Sequence, residues 1–579
     1  MSKTFLFRIL IFVFLACFPF VSFPETISLE KITVEPAFFL DSYQDSEYLN
    51  PQDFVVYSPE DILGFSSDAD LIQRAPFGVQ QDISIRASSF EDVNINIDGL
   101  EVNDPQTGHY SLEIPLTSAD IEKAQISANS QAVNFQVKKP QNKGFLLKAS
   151  FGQHALWENL LSLQFPLGNF NTRFSLEHKI SSGSRQDTDF QIYNISFHSL
   201  LEDESKKIEF LFGSTKKDFG ADSFYSAAYP QEAEHITQQL LWLKAGPRAQ
   251  RYNWENVLYY RRHYDKYVLD RHQESFYTNY HTTYIYGIKS HLNFLNGNFA
   301  EALLEEEKIT STNLGNHNRL REGFFFGFKE KRLKGFVFDF TGGLDYYKEW
   351  NALEKIHLSG GYIFENNLKA LLSFDRFHRI PSFTELYYSS PANIGDPQLK
   401  SQRTDNIELG LEYSLNWVKV RAAAFTRWQR DTIDWVKDSS SSPWEARNVG
   451  DISVEGLDFS GNFFEINKFI KRAGMSYTYL NLKEKNPCSF SKYVSDYNRH
   501  KIVTNLGFAA GGFTIDTDIN SNFPRLRKGY TTVDIRIQRQ LGRFNISLEG
   551  LNVFNKSYEE AQDIEASGRW CKINCAYSF

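Results

Sequence analysis

The chain has 579 residues, 41% hydrophobic and 15% aromatic, with a formal net charge of −9. Its 51 Phe and 29 Tyr beside 2 Met, at a mean hydropathy of −0.42, exclude a polytopic helical membrane protein, which needs repeated apolar runs of ~20 residues, and exclude a disordered chain. The acidic balance argues against nucleic acid as a partner, and 4 Cys cannot staple a chain this long.

One segment is continuously apolar. Met1 to Arg8 carries Lys3 and Arg8, and Ile9 to Val21 follows without a charge. A basic start and a short apolar run read as a secretory signal, taken as residues 1–24. Leu15-Ala16-Cys17 faintly resembles a lipoprotein cleavage box. Residues 25–50 form a polar N-terminal segment that begins with the alternating stretch Ile27 to Val34.

Residues 51–140 read as a small α/β unit. Phe54 to Tyr57 is a strand candidate. Ser58-Pro59-Glu60-Asp61 supplies an N-cap, a proline at the first helical position and an acidic first turn. Ser67 to Arg74 is expected to form a second short helix ended by Pro76. Ile83 to Arg86 and Val93 to Gly99 alternate with period two, as half-buried strands do.

From about residue 145 to 579 the period-two pattern becomes the rule. Phe336, Phe338 and Phe340 face one way while Val337, Asp339 and Thr341 face the other. Val533 to Gln538 and Phe544 to Glu549 repeat the pattern, in runs near the ~9–11 residues of a tilted transmembrane strand. Tyr259 to Tyr264 and Tyr277 to Tyr286 have the tyrosine density of an interfacial girdle. A soluble β-sandwich also alternates, but the length of the pattern, the signal and the aromatic load favour a transmembrane β-barrel. Cys571, Ile573, Cys575, Tyr577 and Phe579 occupy every second position to the end, with the cysteines too far apart along one strand to bridge each other. Cys488 lies in a polar, loop-like stretch.

Several motifs carry a family resemblance. Asp70-Leu71-Ile72 with Pro76, Phe77, Gly78 and Val79, then Ile85-Arg86, then Ile97-Asp98-Gly99 with Asn103-Asp104, resemble the plug of TonB-dependent outer-membrane receptors. Asp104 to Tyr110 is similar to the cobalamin-receptor-like branch. Arg379-Ile380-Pro381 with Glu385-Leu386-Tyr387, Asp396-Pro397-Gln398-Leu399-Lys400, Asn406 to Gly410, Val454-Glu455-Gly456 and Leu551 to Tyr558 follow in the family's order. Two departures stand out: Ala87 replaces the usual glycine after the arginine, and Ile126 to Phe135 lacks the glycine-rich closing loop together with its arginine, whose place falls on Ala128.

The resemblance implies an antiparallel barrel of about 22 strands, whose lumen must be plugged by the α/β unit to prevent leakage. It implies a monomeric, non-enzymatic transporter of the Gram-negative-type outer membrane, contacting lipid and importing a scarce bulky nutrient. It implies no resident cofactor. The expected partner is a TonB-type energy-transducing protein of the inner membrane. That protein would capture an extended segment as an added strand; Glu30, Lys31, Ile32, Thr33 and Val34 are the candidate box, with the plug's first strand as the competing assignment. Position-matching pairs plug Arg86 with barrel Glu408 and Glu455. Asn103, Asp104, Gln106, Thr107, Gly108, His109 and Tyr110 are the candidate ligand loop, expected to face the extracellular side. Asp98 and Asp104 alone do not make an oxygen shell for calcium. No His lies between Pro381 and Asp396, which disfavours haem. Cobalamin is the first-choice ligand and a ferric siderophore the second; a passive porin or adhesin-like barrel is the remaining alternative. No spaced Ser/His/acid set supports an outer-membrane hydrolase.

Overall fold

The computed structural model describes residues 46–224, 229–249, 251–365, 367–485, 490–494, 496–561 and 564–579. The signal, the candidate box Glu30 to Val34 and Cys488 lie outside the described residues. The chain builds a closed, 22-stranded antiparallel barrel around a small sheet domain.

The barrel begins at Gly144–Gly152 and ends at Trp570–Ser578, and those two strands pair with each other. The terminal Phe579 completes the seam, since Phe145 N–H donates to its carbonyl at 3.0 Å and its own N–H donates back at 3.1 Å. Alternation dictates the two faces. On Trp444–Phe464, Val454, Gly456 and Asp458 face the lumen, while Leu457 and Phe459 are 55% and 44% exposed. Exposed rows of Leu and Phe on every side mark a surface solvated by lipid, as expected of a membrane barrel. Cys571 and Cys575 are free and sit on that outer face with Ile573.

Inside the lumen lies a five-stranded sheet ordered Ser46–Leu49, Ile121–Ser127, Ala132–Val137, Asn94–Ile97, Leu100–Glu101. Beside it stands the hairpin Ala69–Ala75 with Gln80–Ile85. Ile62, Ile83, Ile95, Ile97, Val133 and Phe135 form the core, and inward Leu211, Leu240, Trp242 and Tyr259 of the barrel complete it. The lumenal domain therefore shares its core with the wall.

Two local expectations are corrected. Residues 67–74 form no helix: Ala69–Ala75 is a strand, because its alternating Leu71 and Gln73 pair across to Ile83 and Gln81. Asp68, read as part of a helix start, instead accepts from Arg86 Nε at 3.0 Å. Phe54 to Tyr57 is not a strand either; barrel groups satisfy its backbone, with Val55 N–H donating to Asp518 at 2.9 Å and Arg536 donating to the Phe54 carbonyl at 2.8 Å. The helix expected after Ser58 is a short 3-10 turn, Glu60–Phe65.

Candidate functional site

Three loops of the lumenal domain point towards the extracellular ends of the strands: the turn at Pro76 to Val79, the turn around Phe90–Asp92, and Asn103 to Ser111. Backbone accounting explains the third. Asn103 accepts from Ile95 N–H and donates to the Val93 carbonyl, both at 2.7 Å, so its amide serves as a surrogate strand partner. Asp104 Oδ1 accepts from Gln106 N–H at 2.8 Å, an Asx turn. Thr107 caps the short helical turn Gly108–Tyr110 and donates to Glu91 at 2.9 Å. Gly108 is required by contact, because a Cβ there would meet the Phe90 ring at 2.8 Å and its carbonyl at 2.9 Å.

The barrel wall and roof then enclose this loop. Arg261 donates to Asp104 Oδ2 at 2.7 Å, and Thr283 donates to the same oxygen at 3.2 Å. Burial raises the Asp104 carboxyl, but Arg261 and then His263 outweigh it and hold it below the usual carboxylate range. Tyr110 packs on His263 and donates to Glu234 at 3.3 Å. His109 stacks on Phe90 with 4.1 Å between centroids and contacts Asp82 through Nδ1 at 2.8 Å. From above, the extracellular helix Phe383–Tyr387 lies on the loop: Phe383 and Thr384 N–H donate to the carbonyls of Pro105 and Gln106 at 2.9 and 3.0 Å. The loop expected to face the extracellular side lies under this helix, and Asp104, Gln106, Thr107 and Tyr110 are buried. Asn103 is spent on backbone groups, and Asp104, Thr107, His109 and Tyr110 are engaged by side chains of the wall and the lumenal domain.

The other apical loops are roofed as well. Phe77 packs against Phe190 and Trp570, and Phe90 against Tyr493. Among the described residues, two cavities lie beneath the roof. One, of about 210 Å³, lies between the Asn103 loop and the wall; among its lining cations Lys289 pairs with Glu301 at 3.1 Å, Arg321 and Lys355 share Asp345 at 2.8 Å, Arg319 pairs with Glu307, Arg376 with Asp405 and Arg379 with Glu385 at 2.7 Å. The other, of about 130 Å³, lies between the Ala69–Ile85 hairpin and the extracellular ends near Tyr497, Tyr530, Tyr558 and Trp570. Asp61, Asp70, Asp496, Asp534 and Glu560 line it, against Lys501 and Arg527. Arg527 is engaged by Asp496 at 2.9 Å, and Lys501 by the Gly64 carbonyl at 3.3 Å. Both cavities fall short of the ~300–1,000 Å³ of a small-molecule pocket. Among the described residues no group of three His, Cys, Asp or Glu side chains has metal-holding geometry. Asp98 and Asp104 are committed separately, Asp98 accepting from Val137 N–H at 2.9 Å.

Arg86 anchors the lumenal domain to the wall. It contacts Glu408 at 2.8 Å, Asp68 at 3.0 Å, Asn129 at 2.8 Å and Asp458, with its guanidinium 3.8 Å from the centre of the Phe425 ring. Glu455 is the correction: it faces outward and pairs with Lys483 at 2.8 Å. Strand parity sends it outside, because Val454, Gly456 and Asp458 take the inner face and Phe425 fills the space beside Gly456. Asp458, three positions on, was the partner that inner-face parity alone points to. The cation absent at Ala128 is replaced from the barrel side. Arg421 reaches Glu408, and Arg427 donates to the carbonyls of Ile85 and Ala87 at 3.2 and 3.0 Å.

With this geometry in place, the comparisons decide the family. Residues 150–555 match the family model described as TonB dependent receptor-like, beta-barrel. The chain belongs to the TonB-dependent receptor family. Family and barrel together make it a transporter-type protein of the Gram-negative outer membrane. Among solved structures, the siderophore receptor PirA from Acinetobacter baumannii has a TM-score of 0.76 at 12% identity, covering 93% of this chain and 98% of that one. The copper transporter OprC has a TM-score of 0.77 at 12% identity, covering 92% and 100%. At such identities the likeness is one of fold. A curated relative, the vitamin B12 transporter BtuB of Vibrio vulnificus (strain YJ016), is 23% identical over 192 residues, 32% of this chain and 30% of that protein. The match thus spans less than a third of the length of that relative.

Proposed function

We propose that this TonB-dependent receptor captures a bulky nutrient at the cell surface and passes it to the periplasm, energised through Glu30 to Val34 by a TonB-type protein of the inner membrane. Cobalamin is the favoured cargo. The observation that supports this reading is the lining of the cavity beside the hairpin, where five carboxylates and four tyrosine or tryptophan side chains near the extracellular ends face only two cations, both engaged. Ferric catecholate and citrate complexes are polyanions and are drawn to unpaired Arg and Lys. A corrin bearing neutral amides suits Asp, Asn and Tyr partners instead. The partial likeness to BtuB points the same way. The siderophore reading has its own support in fold neighbours such as PirA.

The test is uptake of radiolabelled cyanocobalamin, and in parallel of iron-loaded enterobactin, by cells lacking their own receptors. Energy-dependent cyanocobalamin uptake is expected; energy-dependent iron uptake instead would replace the cargo, and energy-independent entry of both would make the barrel passive. Ile32→Pro removes a backbone donor from the candidate box and should abolish uptake while leaving surface binding intact. Wild-type uptake in that variant would take the segment out of the coupling role, and loss of surface protein would make it a plug strand.

A further inference from the structure

The strands Leu368–Arg379, Gln402–Leu415 and Val418–Lys437 present apolar side chains to lipid over most of their length, with Leu372 55% and Leu409 57% exposed. The pattern breaks at the extracellular end. Arg403 and Arg430 are direct cross-strand partners, and both lie on the lipid side, since their neighbours Gln402, Thr404 and Gln429 are the buried, lumen-facing residues. Arg376 shares this face one row below, as the cross-strand partner of Asp405. Like charges directly opposite on one face of a sheet repel, so such a pair calls for an anion between or above them.

The protein supplies too little negative charge here. Asp405 is shared by Arg403 at 2.9 Å and Arg376 at 3.2 Å, and Glu354 stands 3.6 Å from Arg376. Arg430 is exposed and has no hydrogen-bond or ion-pair partner among the described residues. Four other outward cations are balanced within the protein: Lys216 by Asp218 at 3.0 Å, Lys308 by Glu306 at 3.2 Å and Lys483 by Glu455 at 2.8 Å, while Arg262 rests over the Tyr264 ring.

Depth identifies the occupant. From Arg403 down to Leu415 the strand is longer than the ~9–11 residues that cross the hydrocarbon, which puts Arg403 and Arg430 at the headgroups of the outer leaflet. Trp428, opposite Asp405 and 42% exposed, is an interfacial anchor just below them. Guanidinium forks bind phosphate bidentately, and one phosphate spanning Arg403 and Arg430 would turn their repulsion into a shared contact. We propose that Arg376, Arg403 and Arg430 form a binding site for the phosphate of a phosphorylated lipid in the outer leaflet, its acyl chains lying along Leu372, Ile407 and Leu409.

The test uses the full barrel purified in a maltoside detergent, with diphosphoryl lipid A and its dephosphorylated form as probes and native mass spectrometry as readout. The wild type is expected to retain one diphosphoryl lipid A. Arg403→Gln with Arg430→Gln should lower that occupancy by about tenfold or more. Lys216→Gln with Lys308→Gln, which alters outward but neutralised cations, should change nothing. Heat-modifiable migration checks folding; if the double variant fails it, Arg430→Gln alone, which breaks no contact within the protein, decides. Equal retention by the arginine variants, equal retention of dephosphorylated lipid, or displacement of the lipid by excess inorganic phosphate would overturn the proposal.

Discussion

Arg86 shows how much one lumenal side chain is asked to hold. It and Ala87 both adopt left-handed backbone, at φ of 50° and 60°, a conformation that costs non-glycine residues about 1–2 kcal/mol each. Relatives' glycine at the second position avoids that cost; here Ala87 keeps it and buries its methyl beside Phe425 and Val454. The strain persists because the guanidinium is fixed by Asp68, Glu408, Asp458 and Asn129 together. Arg86→Met would leave three buried carboxylates with only Arg421 near them. Plug anchoring should weaken by about 3–5 kcal/mol, read as vancomycin sensitivity of cells and raised single-channel conductance. Cells as resistant as wild type would mean that Arg427 and Asn129 hold the domain unaided. Neither of those residues was readable from motifs, because Arg427 supplies its guanidinium from the barrel wall and Asn129 is a neutral amide in the turn where the family carries its second arginine.

At the scale of elements, the roof helix Phe383–Tyr387 behaves as a separable part. Ser382 and Glu385 cap it reciprocally, and Arg379 ties Glu385 at 2.7 Å to Asp92 of the lumenal domain at 2.8 Å. Glu91 sits beneath it, its carboxyl pushed up to about 8 by burial and then by Glu385. When the roof lifts, water returns Glu91 towards its ordinary 4.5. Closure is therefore fully favoured below about pH 4.5 and is lost as pH rises through about 8. Hydrogen exchange at the Phe383 and Thr384 amides should quicken between pH 5 and 8, after correction for the intrinsic pH effect. Glu91→Gln should flatten that dependence; an unchanged slope would place the titrating group elsewhere. The family motif at Arg379 to Tyr387 marked this segment in the sequence, but nothing in it said that Pro105 and Gln106 carbonyls would be its landing site, since backbone acceptors leave no residue signature.

For the whole molecule, the barrel was legible because lipid on one side and a packed lumen on the other impose a two-residue period that nothing local competes with. The lumenal domain was harder to read. Its strands are short and meet partners on both faces, so Ser67 to Arg74 with Pro76 after it read as a short helix, and pairing with Gln80–Ile85 makes it a strand instead. Glu455 failed for the opposite reason: a motif was transferred without asking which face its position occupies. The candidate loop Asn103 to Tyr110 was found in a stretch the barrel surrounds, but its burial depends on Arg261, Thr283 and the roof, all distant in sequence.

The strand Ser46–Leu49 hangs on the edge of the lumenal sheet with a single neighbour, paired from Ser46 with Ser127 to Leu49 with Ala124. Load applied to the chain before Ser46 meets that first rung alone, then the next, so the ladder opens like a zipper instead of resisting as one body. Beyond it the chain is fastened by discrete polar clasps, Arg472 on Asp53 and Arg536 on the carbonyls of Gln52 and Phe54, which water can take over as each one parts. The molecule is thus stiff against pressure spread across its plug and compliant to tension drawn from one end.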